Sequence, residues 1–367
     1  MIYLDNAATT PLSDEVREYF LELNTSVYGN PSSLHSLGRE AKKLLDNSRK
    51  ILAEKINADP EEIVFVNSAT EANNLAIFGL KNEYDVIITT PMEHPSVLEP
   101  VKSTGIRTIY LDLDSEGFID LKELERHLER EPKALVSVIH GNNEIGTIQN
   151  LEAIGKLCKE YAAIFHTDAV QTFCKLPIDV KKYNLDLLSV SAHKIHGPKG
   201  VGFLYKKKDL EIEPLISGGG QERNLRSGTE NVNSIAAMAK AVETYGDVKK
   251  INELHKFLSN ELLKIDGVTL NGSKDLKKRV PGNINISVPK FKSEQMMLQL
   301  DLAGVFVGTG SACSSAKGDP SIQSSYVLRA CCVPDSQAQS AIRLSISKLN
   351  TKDEILKAID SVKKILG

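Results

Sequence analysis

Short apolar runs alternate with amphipathic stretches along the first two thirds of the chain. The runs are rich in Val, Ile, Leu and Phe, which is typical of buried strands, and they lie at Ile63–Val66, Val86–Thr89, Leu135–Ile139, Ala163–His166, Leu187–Ser191 and Val201–Tyr205. Between several of them the apolar residues recur with the helical period, for example in Leu121–Leu128 and Leu151–Tyr161. Strands that alternate with helices predict a mostly parallel sheet covered by helices.

The pattern changes near residue 250. From there the sequence predicts helices and strands in a weaker mixture: helices at Ile251–Ile265, Glu294–Ala303 and Lys352–Leu366, and strands at Asn283–Val288 and Ala341–Ser347. We therefore expect two domains. Residues 13–249 form a large α/β domain, and residues 1–12 combine with 250–367 in a smaller α+β domain.

Composition excludes several classes of protein. The 367 residues carry a net charge of −3, which gives no bulk attraction to nucleic acid or to an anionic membrane. The first residues lack the pattern of a signal peptide, and no apolar run approaches the roughly 20 residues that span a bilayer. The cysteine count of 5 is odd and shows no disulfide framework. We expect a cytoplasmic protein in a reducing compartment.

Polar residues that could carry chemistry follow several of the predicted strands. His94, Asn143, Asp168 and Lys194 each lie just beyond a strand, and the carboxyl ends of parallel strands are where such sheets bind ligands. Lys194 and Asp168 together have the chemistry that pyridoxal phosphate (PLP) needs. A lysine forms a Schiff base with the aldehyde, and an aspartate keeps the ring nitrogen protonated. Gln171, three residues after Asp168, is placed to donate to the ring phenolate.

These residues also partly fit other motifs. Ser191-x-x-Lys194 matches part of the serine β-lactamase signature, but the companion motifs Ser-Asp-Asn and Lys-Thr-Gly are absent. His193 and His196 lack the spacing of a zinc motif and have no carboxylate near them in sequence, so no metal site is predicted. Asp168 taken alone fits an ordinary turn at a strand end.

Ser68, Thr70 and Glu71 lie between a predicted strand and a helix. They fit a capping box, with Ser68 as the N-cap and Glu71 closing it. They also fit a phosphate-binding helix N-terminus, and both interpretations can hold together. Arg343 lies within an otherwise apolar strand, where a charged side chain needs a partner. That partner is either a structural carboxylate or the carboxylate of a substrate.

Cys313 lies in a segment rich in Gly and Ser, Gly308–Ser325, which is predicted to be a mobile loop. A cysteine there has little apolar surface to bury against, so we expect it to be exposed and reactive. Cys158 and Cys174 are interpreted as structural. The sequence leaves the role of Cys331 and Cys332 open.

These motifs together resemble the cysteine desulfurases of the NifS/IscS type, which are fold-type-I PLP enzymes of the class V aminotransferase group. The resemblance spans almost the whole chain. It rests on residues 3–10 (YLDNAATT), 29–33 (GNPSS), 69–74 (ATEANN), 142–147 (NNEIGT), 191–194 (SAHK), 196–200 (HGPKG), 218–222 (GGGQE), 226–229 (RSGT) and 311–315 (SACSS). It implies a large, mostly parallel seven-stranded sheet domain and a smaller α+β domain that carries the mobile cysteine loop.

The resemblance also implies a role for each matching residue. Lys194 would be the Schiff-base lysine, Asp168 the partner of the ring nitrogen, Gln171 a contact of the ring oxygen, and His94 a residue that stacks on the ring and shuttles protons. The remaining roles concern phosphate, substrate and sulfur. Phosphate would be bound by Ala69, Thr70, Ser191 and His193, the other subunit's phosphate by Thr229, the substrate carboxylate by Asn143 and Arg343, and the sulfur by Cys313.

The implied reaction removes sulfur from L-cysteine, giving L-alanine and a persulfide on Cys313. The implied partners are a second copy of the chain and a sulfur-acceptor protein such as an iron–sulfur scaffold, with no nucleic acid or membrane. A selenocysteine lyase and a class V aminotransferase are alternatives on the same scaffold. An inactive protein that binds PLP and a partner is a third, but Lys194, Asp168, Cys313 and Arg343 are all present, which argues against it.

Overall fold

The computed structural model describes residues 1–288, 291–309 and 324–366. Its strands, β1 to β12 in chain order, are Ile2–Tyr3, Ile63–Val66, Val86–Thr89, Arg107–Tyr110, Ala134–Ser137, Ile164–Asp168, Leu187–Ser191, Gly202–Lys206, Thr269–Asn271, Asn283–Ser287, Val305–Phe306 and Ala341–Ser345. Its helices, α1 to α12, are Asp14–Ser26, Ser36–Lys55, Ala69–Phe78, Pro95–Ser103, Leu121–Leu128, Leu151–Glu160, Val232–Glu243, Lys249–Leu262, Ser293–Leu302, Tyr326–Ala330, Asp335–Ala338 and Lys352–Leu366.

A central sheet of seven strands organises the molecule, with the order β2-β8-β7-β6-β5-β3-β4. Strands β3 to β7 are parallel to one another, whereas β8 runs antiparallel to both of its neighbours. The predicted α/β class with a mostly parallel sheet is therefore confirmed. Every residue of β2, β3, β5 and β7 is buried, because helices cover both faces of a parallel sheet.

Strand β5 ends earlier than the sequence predicts, because one backbone N–H beyond it bonds to a side chain instead of to a neighbouring strand. The strand predicted at Leu135–Ile139 is β5, which ends at Ser137. Beyond it, the backbone N–H of Ile139 donates to the carboxylate of Glu93 rather than to a neighbouring strand. The edge strand β4 was not predicted, because its side chains are only partly buried or exposed and form no apolar run.

A second, antiparallel sheet has the order β12-β10-β9. Its hydrophobic core draws on both ends of the chain, since Ile2 and Leu4 pack with apolar residues of α8, β10, α9, β12 and α12. The first strand also pairs in parallel with β11. The domain boundaries at residues 13 and 250 stay a prediction. Among the described residues, no helix is long and apolar enough to cross a membrane.

Candidate active site

A cavity of about 310 Å³ lies at the carboxyl ends of β5, β6 and β7. It brings together ten of the residues singled out from the sequence: Ala69, Thr70, His94, Asn143, Asp168, Gln171, Ser191, His193, Lys194 and Arg343. Thr229 is exposed and is not among the residues that line this cavity. Cys313 lies outside the described residues.

Lys194 reaches the cavity from the single helical turn that follows β7. Its ammonium donates to the carbonyl oxygens of Ala7 at 2.7 Å and Ala8 at 2.6 Å. Burial lowers the pKa of Lys194 to about 8, with help from the positive charges of Arg343 and Lys175. With this pKa, roughly a tenth of Lys194 is neutral at pH 7, and the neutral amine is the form that acts as a nucleophile or a general base.

Asp168 ends β6 and is 4% exposed. One carboxylate oxygen accepts from the side-chain amide of Asn73 at 2.9 Å, and the other accepts from the backbone N–H of Val170 at 2.9 Å. The same amide of Asn73 also donates to Ser96. Two donors fix the orientation of the carboxylate. Asn73 belongs to the motif at residues 69–74, and nothing in the sequence around it signals a contact with Asp168.

His94 caps the N-terminus of α4. Its Nδ1 accepts from the backbone N–H of Ser96 at 3.1 Å, so the neutral ring carries its proton on Nε2. Burial lowers the pKa of His94, which favours that neutral form, although the negative charge of Asp168 opposes the shift. His94 is therefore held as a neutral imidazole on the wall of the cavity.

The N-terminus of α3 forms another wall, close to Ser191 and His193. Ser68 caps this helix, since its hydroxyl accepts from the backbone N–H of Glu71 at 3.3 Å. The other half of the predicted capping box is wrong: the Glu71 carboxylate accepts from the backbone N–H of Asn67 and pairs with Arg226. Because the first N–H groups of a helix have no intrahelical acceptor, this end of α3 remains suited to an anion.

A glycine of β8 lies between the neighbouring strand β7 and the start of α3. A Cβ atom on Gly202 would lie 2.4 Å from the carbonyl oxygen of Val190 in β7, 3.3 Å from the carbonyl carbon of Ser68 and 3.4 Å from the backbone nitrogen of Ala69. A side chain at this position would therefore clash mainly with β7 and would also crowd the N-terminus of α3.

Two amide side chains in the cavity keep an unpartnered buried oxygen, those of Asn143 and Gln171. The nitrogen of Gln171 donates to the carbonyl oxygen of Ala7 at 3.0 Å. The NH2 group of Gln171 has a second hydrogen, so it can donate to a ring oxygen, as the sequence predicts, while it keeps its bond to Ala7. Buried polar atoms without partners are rare in proteins, and their presence here is consistent with a polar ligand that completes the site.

Arg343 is held by two contacts. Its Nη2 lies 2.6 Å from the carboxylate of Asp5, and its Nη1 donates to the carbonyl oxygen of Asn143 at 3.0 Å. Its Nε is buried and has no hydrogen-bond partner. A structural ion pair, one of the two interpretations of Arg343, is present, and the guanidinium still keeps free donors on the cavity wall.

The contacts of Lys194 and Arg343 both involve residues 4–10, which we call the N-terminal strap. At one end, Asn6 and Ala7 donate to Ser345 of β12. At the other end, Thr10 donates to the carbonyl oxygen of His193. The strap therefore joins the second sheet to the lysine turn. Asp5, Ala7 and Ala8 are thus site residues that the sequence alone does not predict.

The segment that leads to Thr229 is fixed by a buried ion pair. Glu222 binds Arg49 through both carboxylate oxygens, at 2.6 and 2.8 Å, and also accepts from the backbone N–H of Phe65. Residues Glu222, Arg223 and Asn224 all have positive φ, which is costly for residues other than glycine. The ion pair therefore anchors the start of the segment that leads to Thr229.

The two histidines near Lys194 have structural contacts. Nδ1 of His193 lies 3.1 Å from the hydroxyl of Thr9, and Nδ1 of His196 lies 2.9 Å from the carbonyl oxygen of Pro11. Within residues 1–288, 291–309 and 324–366, no group of three His, Cys, Asp or Glu side chains could hold a metal ion.

The residues present fit PLP. One cavity contains the oriented carboxylate of Asp168, the amine of Lys194 with its lowered pKa and the neutral imidazole of His94. The N-terminus of α3 and two unpartnered amide oxygens complete its lining. Lys194 would bind the aldehyde, Asp168 the ring nitrogen, and the start of α3 with Ser191 and His193 the phosphate.

Comparison with known proteins agrees with this chemistry. Residues 2–357 match the model of the family described as Aminotransferase class-V. The chain belongs to the aminotransferase class V family. Among its curated members, cysteine desulfurase IscS of Dictyoglomus turgidum is 43% identical over 378 residues, covering 100% of this chain and 94% of the relative.

Solved structures of class V members have the same fold. A NifS-like protein superposes with a TM-score of 0.90 at 35% identity, covering 100% of this chain and 99% of that one. A structure described as SspA in complex with cysteine gives a TM-score of 0.84 at 32% identity, covering 96% of this chain and all (100%) of that one. The predicted resemblance and fold type are thereby confirmed.

Proposed function

We propose that this protein is a PLP-dependent cysteine desulfurase that takes the sulfur of L-cysteine and releases L-alanine. The observation that carries the proposal is the convergence of Lys194, Asp168 and Arg343 on one cavity. Full-length similarity to proteins named cysteine desulfurase supports the choice of substrate.

Several side chains that line the cavity have a part in the proposed reaction. PLP bound in this cavity supplies a protonated ring that withdraws electrons from the substrate Cα. Arg343 and Asn143 hold the substrate carboxylate and thereby orient the Cα–H bond. Lys194 accepts the Cα proton, because its lowered pKa, about 8, leaves part of it neutral. His94, neutral and close by, serves as a second site for protons.

Cys313 is the proposed sulfur acceptor. Thr309 lines the cavity and precedes Cys313 by four residues, which keeps the two Cα atoms within about 14 Å of each other. In the proposed step the Cys313 thiolate attacks the substrate sulfur, so a C–S bond breaks and an S–S bond forms. L-Cysteine and the Cys313 thiol become L-alanine and a Cys313 persulfide, with no external oxidant.

The first test measures L-alanine and sulfide released from L-cysteine by the PLP-loaded protein with a thiol reductant present. We expect equal amounts from the wild type and none from Lys194→Ala. Cys313→Ser should lose the activity yet keep the PLP absorbance, whereas Cys332→Ser, which replaces an exposed cysteine, should keep both. Alanine at the wild-type rate from Cys313→Ser would refute the role of Cys313. 3-Mercaptopyruvate, formed as the amino group passes to an added keto acid, would indicate an aminotransferase instead.

A homodimer with shared active sites is also proposed. Two large apolar side chains between α1 and α2 are exposed, Tyr28 at 77% and Leu34 at 90%, and they leave apolar surface that a second copy of the chain could cover. Thr229 is exposed, seven residues after Glu222, which is anchored by its ion pair with Arg49. This arrangement supports Thr229 reaching the phosphate bound by a second copy.

Mixed dimers test the shared site. We expect Lys194→Ala and Thr229→Ala each to have lower activity as pure proteins, because each site then lacks one of the two residues. After the two are mixed, unfolded and refolded together, mixed dimers should contain one site with both residues intact, and activity should rise toward about a quarter of the wild-type value by random pairing. No gain on mixing would contradict a site shared between subunits.

Iron–sulfur cluster assembly in the cytoplasm is the proposed setting, with the Cys313 persulfide passing its sulfur to an acceptor protein such as a scaffold. Similarity to the IscS desulfurases and the absence of a disulfide framework in the sequence support this proposal. Adding a purified scaffold to the alanine assay, with radiolabelled cysteine sulfur, should label the scaffold. Label that stays on the desulfurase would point to a different acceptor, and cell fractionation tests the location.

A further inference from the structure

Asp5 and Arg343 form an ion pair inside the cavity wall rather than on the protein surface. The side chain of Arg343 is 8% exposed and that of Asp5 is 25% exposed, and both line the cavity. Gly308 packs against the pair, since a Cβ atom at that position would lie 2.7 Å from the Nη2 of Arg343 and 2.7 Å from the carboxylate of Asp5. The ion pair is therefore part of the site's inner surface.

The contact with Asp5 uses the nitrogen that any bidentate ligand of Arg343 needs. A guanidinium offers a carboxylate two paired faces, Nε with Nη2 and Nη1 with Nη2. Nη2 belongs to both faces with one hydrogen for each, and it donates one of them to Asp5, so a carboxylate on either face would have to share this nitrogen with Asp5. Nη1 is directed to the carbonyl oxygen of Asn143, while Nε is buried without a partner. Arg343 thus holds one carboxylate and keeps a donor free beside it.

The backbone of Asp5 is fixed, but its side chain can turn away. The N-terminal strap is pinned on both sides of this residue, by the Leu4 N–H to the carbonyl oxygen of Phe306 at 2.8 Å and by the Ala7 N–H to Ser345 at 2.8 Å. Because a quarter of the Asp5 side chain meets solvent, its carboxylate can move to water without loss of all its solvation.

We propose that Asp5 is a built-in competitor for the substrate-carboxylate site, occupying Arg343 until the α-carboxylate of an amino acid displaces it. This inference rests on the proposed function, because it takes Arg343 as the ligand of that carboxylate. Asp5 is a positioning residue that acts through Arg343. Before an amino acid binds, Asp5 gives the buried guanidinium of Arg343 a negatively charged partner. Amino-acid binding is then weakened by the free energy needed to break the Asp5–Arg343 ion pair.

The test compares two ligands that differ only in the carboxylate. L-Alanine and ethylamine each change the absorbance of a PLP-loaded protein, and titrations give a dissociation constant for each. We expect Asp5→Asn to bind L-alanine about fivefold more tightly than the wild type, which is the scale of one partly solvated ion pair. Its affinity for ethylamine should not change. Asp5→Glu, which keeps a carboxylate, should bind L-alanine close to the wild-type value.

The matched control is Asp14→Asn, which breaks an exposed ion pair with Arg17 away from the cavity and should alter neither affinity. Weaker or unchanged binding of L-alanine by Asp5→Asn would overturn the inference, because Asp5 would then orient Arg343 or have no influence on it. Equal changes for L-alanine and ethylamine would also overturn it, as a general distortion of the site. A wild-type protein that shows no PLP absorbance would instead refute the proposed function, and this inference with it.

Discussion

At the scale of single residues, the site depends on polar contacts that no motif revealed. Asp168 can bind a ring nitrogen only if its carboxylate is held in one orientation, and the side chain that holds it is Asn73 of α3. Asn73 is fully buried and donates to both Asp168 and Ser96. Ser96 in turn contacts Nδ1 of His94 at 2.7 Å. One amide therefore links the two groups expected to contact the PLP ring.

We expect Asn73→Ala to weaken PLP binding by about tenfold or more, because a hydrogen bond to a charged group contributes about 1.5–3 kcal/mol. The measurement is the PLP dissociation constant, obtained by titrating the cofactor-free protein and following absorbance. Asn74→Ala is the matched control, since Asn74 lies next on the same helix and donates to the carbonyl oxygen of Thr70 within that helix. Equal loss in both variants would mean that damage to α3, rather than release of Asp168, is the cause.

At the scale of elements, the sequence predicts the bounds of strands that are buried along their whole length. It does not predict the edge strand or the contacts between residues far apart in the chain. Strands β2, β3 and β7 match their predicted bounds because each is an apolar run buried along its whole length. Strand β4 lies at the sheet edge and lacks that signal.

The N-terminal strap was missed as part of the site for a related reason. Its contacts with Lys194 and Arg343 join residues 187 and 338 positions apart along the chain. Nothing in the local pattern of residues 4–10 reports such pairing. Most of the cavity residues could still be predicted, because parallel strands all have their carboxyl ends at the same edge of the sheet. The hydrogen-bond partner of each polar atom could not be predicted from the sequence.

At the scale of the whole molecule, buried titratable groups make stability depend on pH. Glu93 is fully buried, and burial raises its pKa to about 8, while burial also raises the pKa of Glu144 to about 7. Such carboxyls bind a proton more tightly in the folded state. Their contribution to stability is complete below about pH 4.5 and is lost as the pH rises through 7 to 8. His140 and His166, whose pKa values burial lowers to about 3, act in the opposite sense as the pH falls below about 6.5.

Replacing Glu93 isolates one of these contributions, because the other groups remain in both proteins and cancel in the comparison. The amide of Glu93→Gln can still accept from the hydroxyl of Thr90 and the N–H of Ile139, but it does not titrate. The free energy of unfolding of the wild type, minus that of Glu93→Gln, should therefore fall between pH 5 and 8, by an amount on the order of 2–4 kcal/mol. Urea unfolding of the cofactor-free proteins at several pH values measures this difference, with exposed Glu83→Gln as the control. A difference that stays level across this range would show that Glu93 is ionised within the folded protein.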